Sequence, residues 1–146
     1  VAFPRPTPGL VVRYSYLWHS EQRAGHEEGR KDRPCAIVAA VRRGTDDETL
    51  VLLLPITHTR PQRADLAVEI PLKVKQRLGL DDEPSWVVIT EWNEFTWPGP
   101  DLRPVRGADG NSITYGTLPP SLFAVIRDRF AALVRARGAR RVPRTE

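Results

Sequence analysis

The sequence lacks methionine altogether, has a single cysteine, and contains no long apolar run. With only Cys35, no internal disulfide can form, which excludes a disulfide-stapled secreted scaffold and leaves no Cys-x-x-Cys pair for zinc. No stretch approaches the roughly 18 apolar residues of a membrane span, and the first residues lack the apolar core of a signal peptide, so a cytoplasmic protein with no membrane partner is expected. Charge of one sign is also scarce. Lys and Arg total 22 against 18 acidic residues, a net +4, which permits contact with nucleic acid or an acidic protein without demanding either. No internal repeat, phosphate-cradling glycine loop or Gly-x-Ser-x-Gly elbow is present.

What is present suits one domain spanning residues 1–146, with enough apolar content to bury a core. Pro4, Pro6 and Pro8 fix φ and remove donors, so residues 1–9 should form an extended arm. Val11 to Trp18 is rich in β-branched and aromatic residues and reads as a strand. The segment from His19 to Asp32 is almost wholly polar, with Gly25 and Gly29, and reads as a long loop. Pro34–Val41 and Thr49–Ile56 are apolar runs of strand length, separated by Arg43-Gly44-Thr45-Asp46-Asp47, and predict a buried hairpin.

Leu66, Val68 and Ile70 alternate as in a half-buried strand, and a short helix from Leu72 should close at Gly79. Trp86–Glu91 and Phe95–Trp97 predict two more strands, while Leu102–Tyr115, with Gly107, Gly110 and Asn111, reads as irregular. After Pro119 and Pro120, Leu122, Phe123, Ile126, Phe130, Leu133 and Val134 fall at helical spacing, with Gly138 in the C-cap position and a basic tail over residues 138–146. The expectation is a mainly β, β-rich α+β domain: a strongly bent sheet of five or six short strands carrying a C-terminal amphipathic helix.

Two motifs then stand in register. A polar, glycine-containing loop runs into Arg33-Pro34 and an apolar strand, and downstream Leu52-Leu53-Leu54-Pro55-Ile56-Thr57 ends an apolar strand in Pro-x-Thr. The pair, with the strands and helix in the same order, resembles the MazF/PemK/Kid toxins of type II toxin-antitoxin systems. The resemblance implies a small SH3-like barrel of five to seven strands and a metal-independent endoribonuclease that inhibits growth by cutting single-stranded RNA. It also implies a homodimer, restrained by an antitoxin with an acidic, disordered tail. It places catalysis on Arg33, for charge at the phosphorane, and Thr57, as a hydroxyl donor. His26 and Glu91 are candidates for proton transfer.

Ser85, which matches a hydroxyl position of Kid-like members, would join Trp92, Trp97, His58 and Arg60 as RNA contacts. At the later strand, where Kid-like members carry an arginine and an aspartate two residues apart, this chain has Ile89 and Glu91. The acid is kept and the base is not. His19, His26, Cys35 and His58 lack the spacing of a metal site, so no metal and no cofactor is expected. The missing base keeps a second reading open: a non-catalytic SH3-like binding module, gripping a protein as CcdB toxins do, or nucleic acid.

Overall fold

Apolar side chains on both faces of a strand demand cover on both faces, and this decides how the chain folds. A computed structural model of the chain describes residues 3–27, 29, 31–44, 47–106 and 112–144. The strands β1 (Leu10–Ser15), β2 (Asp32–Arg43) and β3 (Glu48–Thr57) form an antiparallel meander at its centre. By alternation, Val11, Ala36, Val38, Leu54 and Ile56 line one face. Val12, Tyr14, Tyr16, Cys35, Ile37, Val51 and Leu53 line the other. The first face is covered by Ile126 and Phe130 of the helix α3 (Pro120–Arg135). The second closes on Phe95, whose ring stacks on Tyr14 at 4.8 Å.

The remaining elements extend this meander. After a 3-10 turn (Ala64–Leu66), β4 (Ala67–Glu69) leads into the short helix α2 (Leu72–Arg77), and then come β5 (Trp86–Val88), β6 (Glu91–Thr96), β7 (Thr114–Thr117) and β8 (Arg140–Pro143). The strand order is β4-β5-β3-β2-β1-β7, with β6 also pairing β3 and β8 lying parallel to β6. One long strand, β3, thus serves two neighbours on the same side: Leu50–Leu53 pair with β6, and Ile56–Thr57 pair with β5. A register shift between Ile37 and Ala39 adds to the bend.

The β-rich α+β class, the β2–β3 hairpin and the C-terminal helix are as the sequence predicts. Several expectations need correction. Among the described residues, the sheet has eight strands and does not close into a barrel. The polar stretch after Trp18 opens with a short helix, α1 (His19–Arg23), capped by the Glu21 carboxylate on the Trp18 N–H. The expected basic tail is strand β8, drawn into order by pairing with β6. Glu91 starts β6 and does not end β5. Tyr115 and its neighbours form β7. Thr45 and Asp46 of the hairpin turn, Gly107, Gly110 and Asn111 of the irregular stretch, and the outermost residues of the arm and tail lie outside the described residues. Among the described residues, no helix is long and apolar enough to cross a membrane.

Candidate active site at an open seam

Past the end of β1, Tyr16–Trp18 lie outside any strand among the described residues, and their backbone polar groups must be met another way. Side chains meet them. Asn93, fully buried on β6, accepts from the Leu17 N–H at 2.9 Å and donates to the Leu17 carbonyl at 2.7 Å. Arg144 donates to the Ser15 carbonyl at 2.7 Å, to Asn93 Oδ1 at 3.0 Å and to Asp101 at 2.9 Å. Glu91 Oε1 accepts from the Tyr16 hydroxyl at 3.1 Å and from the His19 N–H at 3.0 Å. The sheet is therefore laced along this seam by side chains instead of a backbone ladder, which holds Tyr16, Leu17 and Trp18 in place.

Trp18 is the centre of what the seam displays. The Arg33 guanidinium carbon lies 5.0 Å from the Trp18 ring centroid, a cation–π distance, and Trp18 meets Tyr16 edge to face at 5.1 Å. Arg33 pairs in register with Tyr14, and its buried Nε has no hydrogen-bond partner among the described residues. A buried donor left unmet costs about 1–3 kcal/mol, and Arg144 Nε stands in the same state.

Thr57 ends β3 opposite Trp86. Its Oγ1 accepts from the Thr59 N–H at 3.1 Å, which leaves the hydroxyl's own hydrogen for a ligand. Thr57 and Trp18 line one mostly apolar cleft of about 310 Å³, together with Arg60, Gln62, Val88 and Thr90. Trp18 thus meets the Arg33 guanidinium and shares the cleft with Thr57.

The protonation states follow from burial. Burial raises the Glu91 carboxyl above its ordinary range, partly offset by the His19 N–H and the Tyr16 hydroxyl. Tyr16 is pushed well above the usual phenol value by burial first, then by the Glu91 charge. Burial also pushes the fully enclosed Cys35 thiol far up, which makes it a packing residue and not a nucleophile.

Arg33, Thr57 and Glu91 are thus each linked to the Tyr16–Trp18 segment, and Arg60 joins the cleft with its guanidinium 5.5 Å from the Trp86 ring centroid. The other residues named from sequence are placed differently. His26 lies past α1 with its N–H on the Glu21 carbonyl, and among the described residues no contact joins it to Arg33, Thr57 or Glu91. Ser85 is buried, its Oγ accepts from Lys75 at 2.7 Å, and it borders a small recess with Thr57 and His58. Trp92 packs edge-on against Phe130 at 5.4 Å and donates to Glu94, which commits its ring to the core beneath α3. Trp97 stands past the far end of β6, against Phe95 and beside the larger cavity of about 630 Å³ that Phe3 and Pro4 help to line.

His58 stays exposed and bonds Asp81 at 2.7 Å. Burial works to raise the Asp81 carboxyl, but the Lys75 hydrogen bond, the His58 charge and the Glu83 N–H outweigh it and hold the group below its usual value.

Sequence reading missed Asn93, Asp101 and Arg144, whose types and spacings carry no signal. Lys75 had a weak one: it precedes the buried Leu78 by three residues and so shares its helix face.

A scan against protein-family models finds no match to this chain, and a search of curated proteins finds none either.

Proposed function

We propose that the chain is a metal-independent endoribonuclease of the MazF/PemK/Kid kind, built on an opened variant of the SH3-like barrel and cutting single-stranded RNA. The observation that carries this reading is that Trp18 meets the Arg33 guanidinium and lines one cleft with Thr57, whose hydroxyl hydrogen has no acceptor among the described residues. An unpaired base fits against the apolar wall of the cleft, and stacking on an indole is tolerant of base identity. The substrate's 2′ oxygen then attacks phosphorus, and using that hydroxyl restricts the reaction to RNA. Arg33 offsets the charge of the phosphorane, Thr57 donates to a non-bridging oxygen, and Glu91, with its raised proton affinity, takes the 2′ proton. Growth inhibition, a homodimer and restraint by an antitoxin with an acidic tail belong to the same proposal.

Single-turnover cleavage of a long RNA tests it. Arg33→Ala is expected to slow cleavage at least about a hundredfold with the circular dichroism spectrum unchanged, and Arg33→Lys, which keeps charge but loses the planar fork, to recover only part. Wild-type activity should persist in excess chelator. A folded Arg33→Ala protein that cuts as fast as wild type sinks the proposal. The second reading, a non-catalytic binding module, is favoured by one observation: Ile89, standing where the Kid-like toxins carry a base, is fully buried in the core. A wild-type protein that cleaves no RNA when freed of partners supports that reading instead.

A further inference from the structure

We propose that His58 is the proton donor to the leaving oxygen and that Asp81, fixed from behind by Lys75, is the residue that positions it. The inference rests on the ribonuclease reading above. It starts from a charged group in an unusual place: the Lys75 side chain on α2 is only 2% exposed. A buried ammonium is tolerated when its hydrogens are met. All three are, by Asp81 Oδ1 at 2.6 Å, by Ser85 Oγ at 2.7 Å and by the Glu83 carbonyl oxygen. The Glu83 N–H also donates to Asp81 Oδ1, at 3.1 Å.

One Asp81 oxygen is thereby held by buried or backbone groups, and the other, Oδ2, lies 2.7 Å from His58 Nε2. A carboxylate only accepts, so Nε2 carries the hydrogen and Nδ1 is the nitrogen left for exchange. An ion pair to an imidazole this exposed adds little stability, so a relay anchored in the interior is more than a surface contact requires.

The position suits the reaction. His58 follows Thr57, and both border a small recess of about 50 Å³ with Pro34, Lys75, Asp81 and Ser85, while Thr57 also borders the Trp18 cleft. Thr57 is the shared wall between the two. In the step assigned here, the bond from the 2′ oxygen to phosphorus forms and its proton passes to Glu91. The bond from phosphorus to the 5′ oxygen breaks, its electron pair stays on that oxygen, and the His58 imidazolium protonates it. Solvent then returns the proton from Glu91 to His58.

The test compares two short RNAs spanning a site that the wild-type protein cuts, one natural and one with sulfur in place of the leaving 5′ oxygen. A thiolate departs without a proton. His58→Asn should slow the natural RNA at least about a hundredfold yet cut the sulfur substrate at close to the wild-type rate. Asp81→Asn should lower kcat on the natural RNA with KM unchanged, and free imidazole should restore part of the activity of His58→Ala. His58→Asn cutting the natural RNA as fast as wild type, or slowed equally on both RNAs, overturns the inference while the ribonuclease reading stands on Arg33. A wild-type protein that cuts neither RNA overturns both.

Discussion

Glu91 is held half inside the seam, where two demands on one carboxylate conflict. Burial raises its affinity for a proton, so the folded form holds the proton more tightly than the unfolded chain does. The stability this contributes is present below the unfolded value and is lost as pH rises through the folded one. Glu91→Gln, which cannot ionise, should therefore gain stability over wild type as pH climbs from about 4 towards neutrality, while losing cleavage. Denaturant midpoints across that range measure it, and a difference that does not change with pH would show that Glu91 ionises without penalty. Among single residues, Arg33 and Thr57 stand out in sequence only through the resemblance of their Arg-Pro and Pro-x-Thr motifs to the MazF/PemK/Kid toxins. Asp101 and Arg144 were hidden because charged residues default to the surface, and only the folded chain reveals the partners that bring them in.

At the scale of elements, α3 ends in a way its sequence only half announces. The expected glycine cap falls one position late: Arg137 takes the left-handed conformation at φ 60°, with its N–H on the Val134 carbonyl, and the Gly138 N–H reaches the Leu133 carbonyl at 2.7 Å. A side chain at such a φ costs about 1–2 kcal/mol, so Arg137→Gly should raise the stability of the protein by about 1 kcal/mol in chemical unfolding. A loss of stability would mean that the Arg137 side chain contributes more than its backbone costs. The hairpin and α3 could be read from sequence because continuous apolar runs and helical spacing are self-sufficient signals. Strand β8 could not. Arg140-Arg141-Val142-Pro143 offers one buried apolar side chain, and its extended form comes from β6 beside it. The helix α1 was missed for a related reason: none of its five residues is buried, so no periodicity marks it. The candidate site is not marked as a unit in the sequence, because the lacing along the seam joins residues far apart in the chain.

Across the whole molecule, Arg144 is the tie on which the seam converges. It bonds the Ser15 carbonyl, Asn93 and Asp101, and its guanidinium carbon lies 5.2 Å from the Tyr14 ring centroid. Arg144→Ala would leave the Asp101 carboxylate, itself only 8% exposed, with the Arg103 guanidinium 3.7 Å away in place of a direct hydrogen bond, and should cost about 3 kcal/mol. For a domain of this size that corresponds to a Tm lower by on the order of 10 °C. Differential scanning calorimetry decides it: an unchanged Tm would show that water replaces the guanidinium at no cost, and Asp101→Asn on top of Arg144→Ala should recover part of the loss. The span of this tie has a consequence for how the protein comes into being. Ser15 and Arg144 are separated by 129 positions, and a chain is synthesised from its N-terminus. A nascent chain can pair β1, β2 and β3 early, yet the segment that presents Trp18 waits for residue 144 before its last supports are in place. The Ser15–Arg144 contact can therefore form only after every strand of the β1–β2–β3 meander has been synthesised.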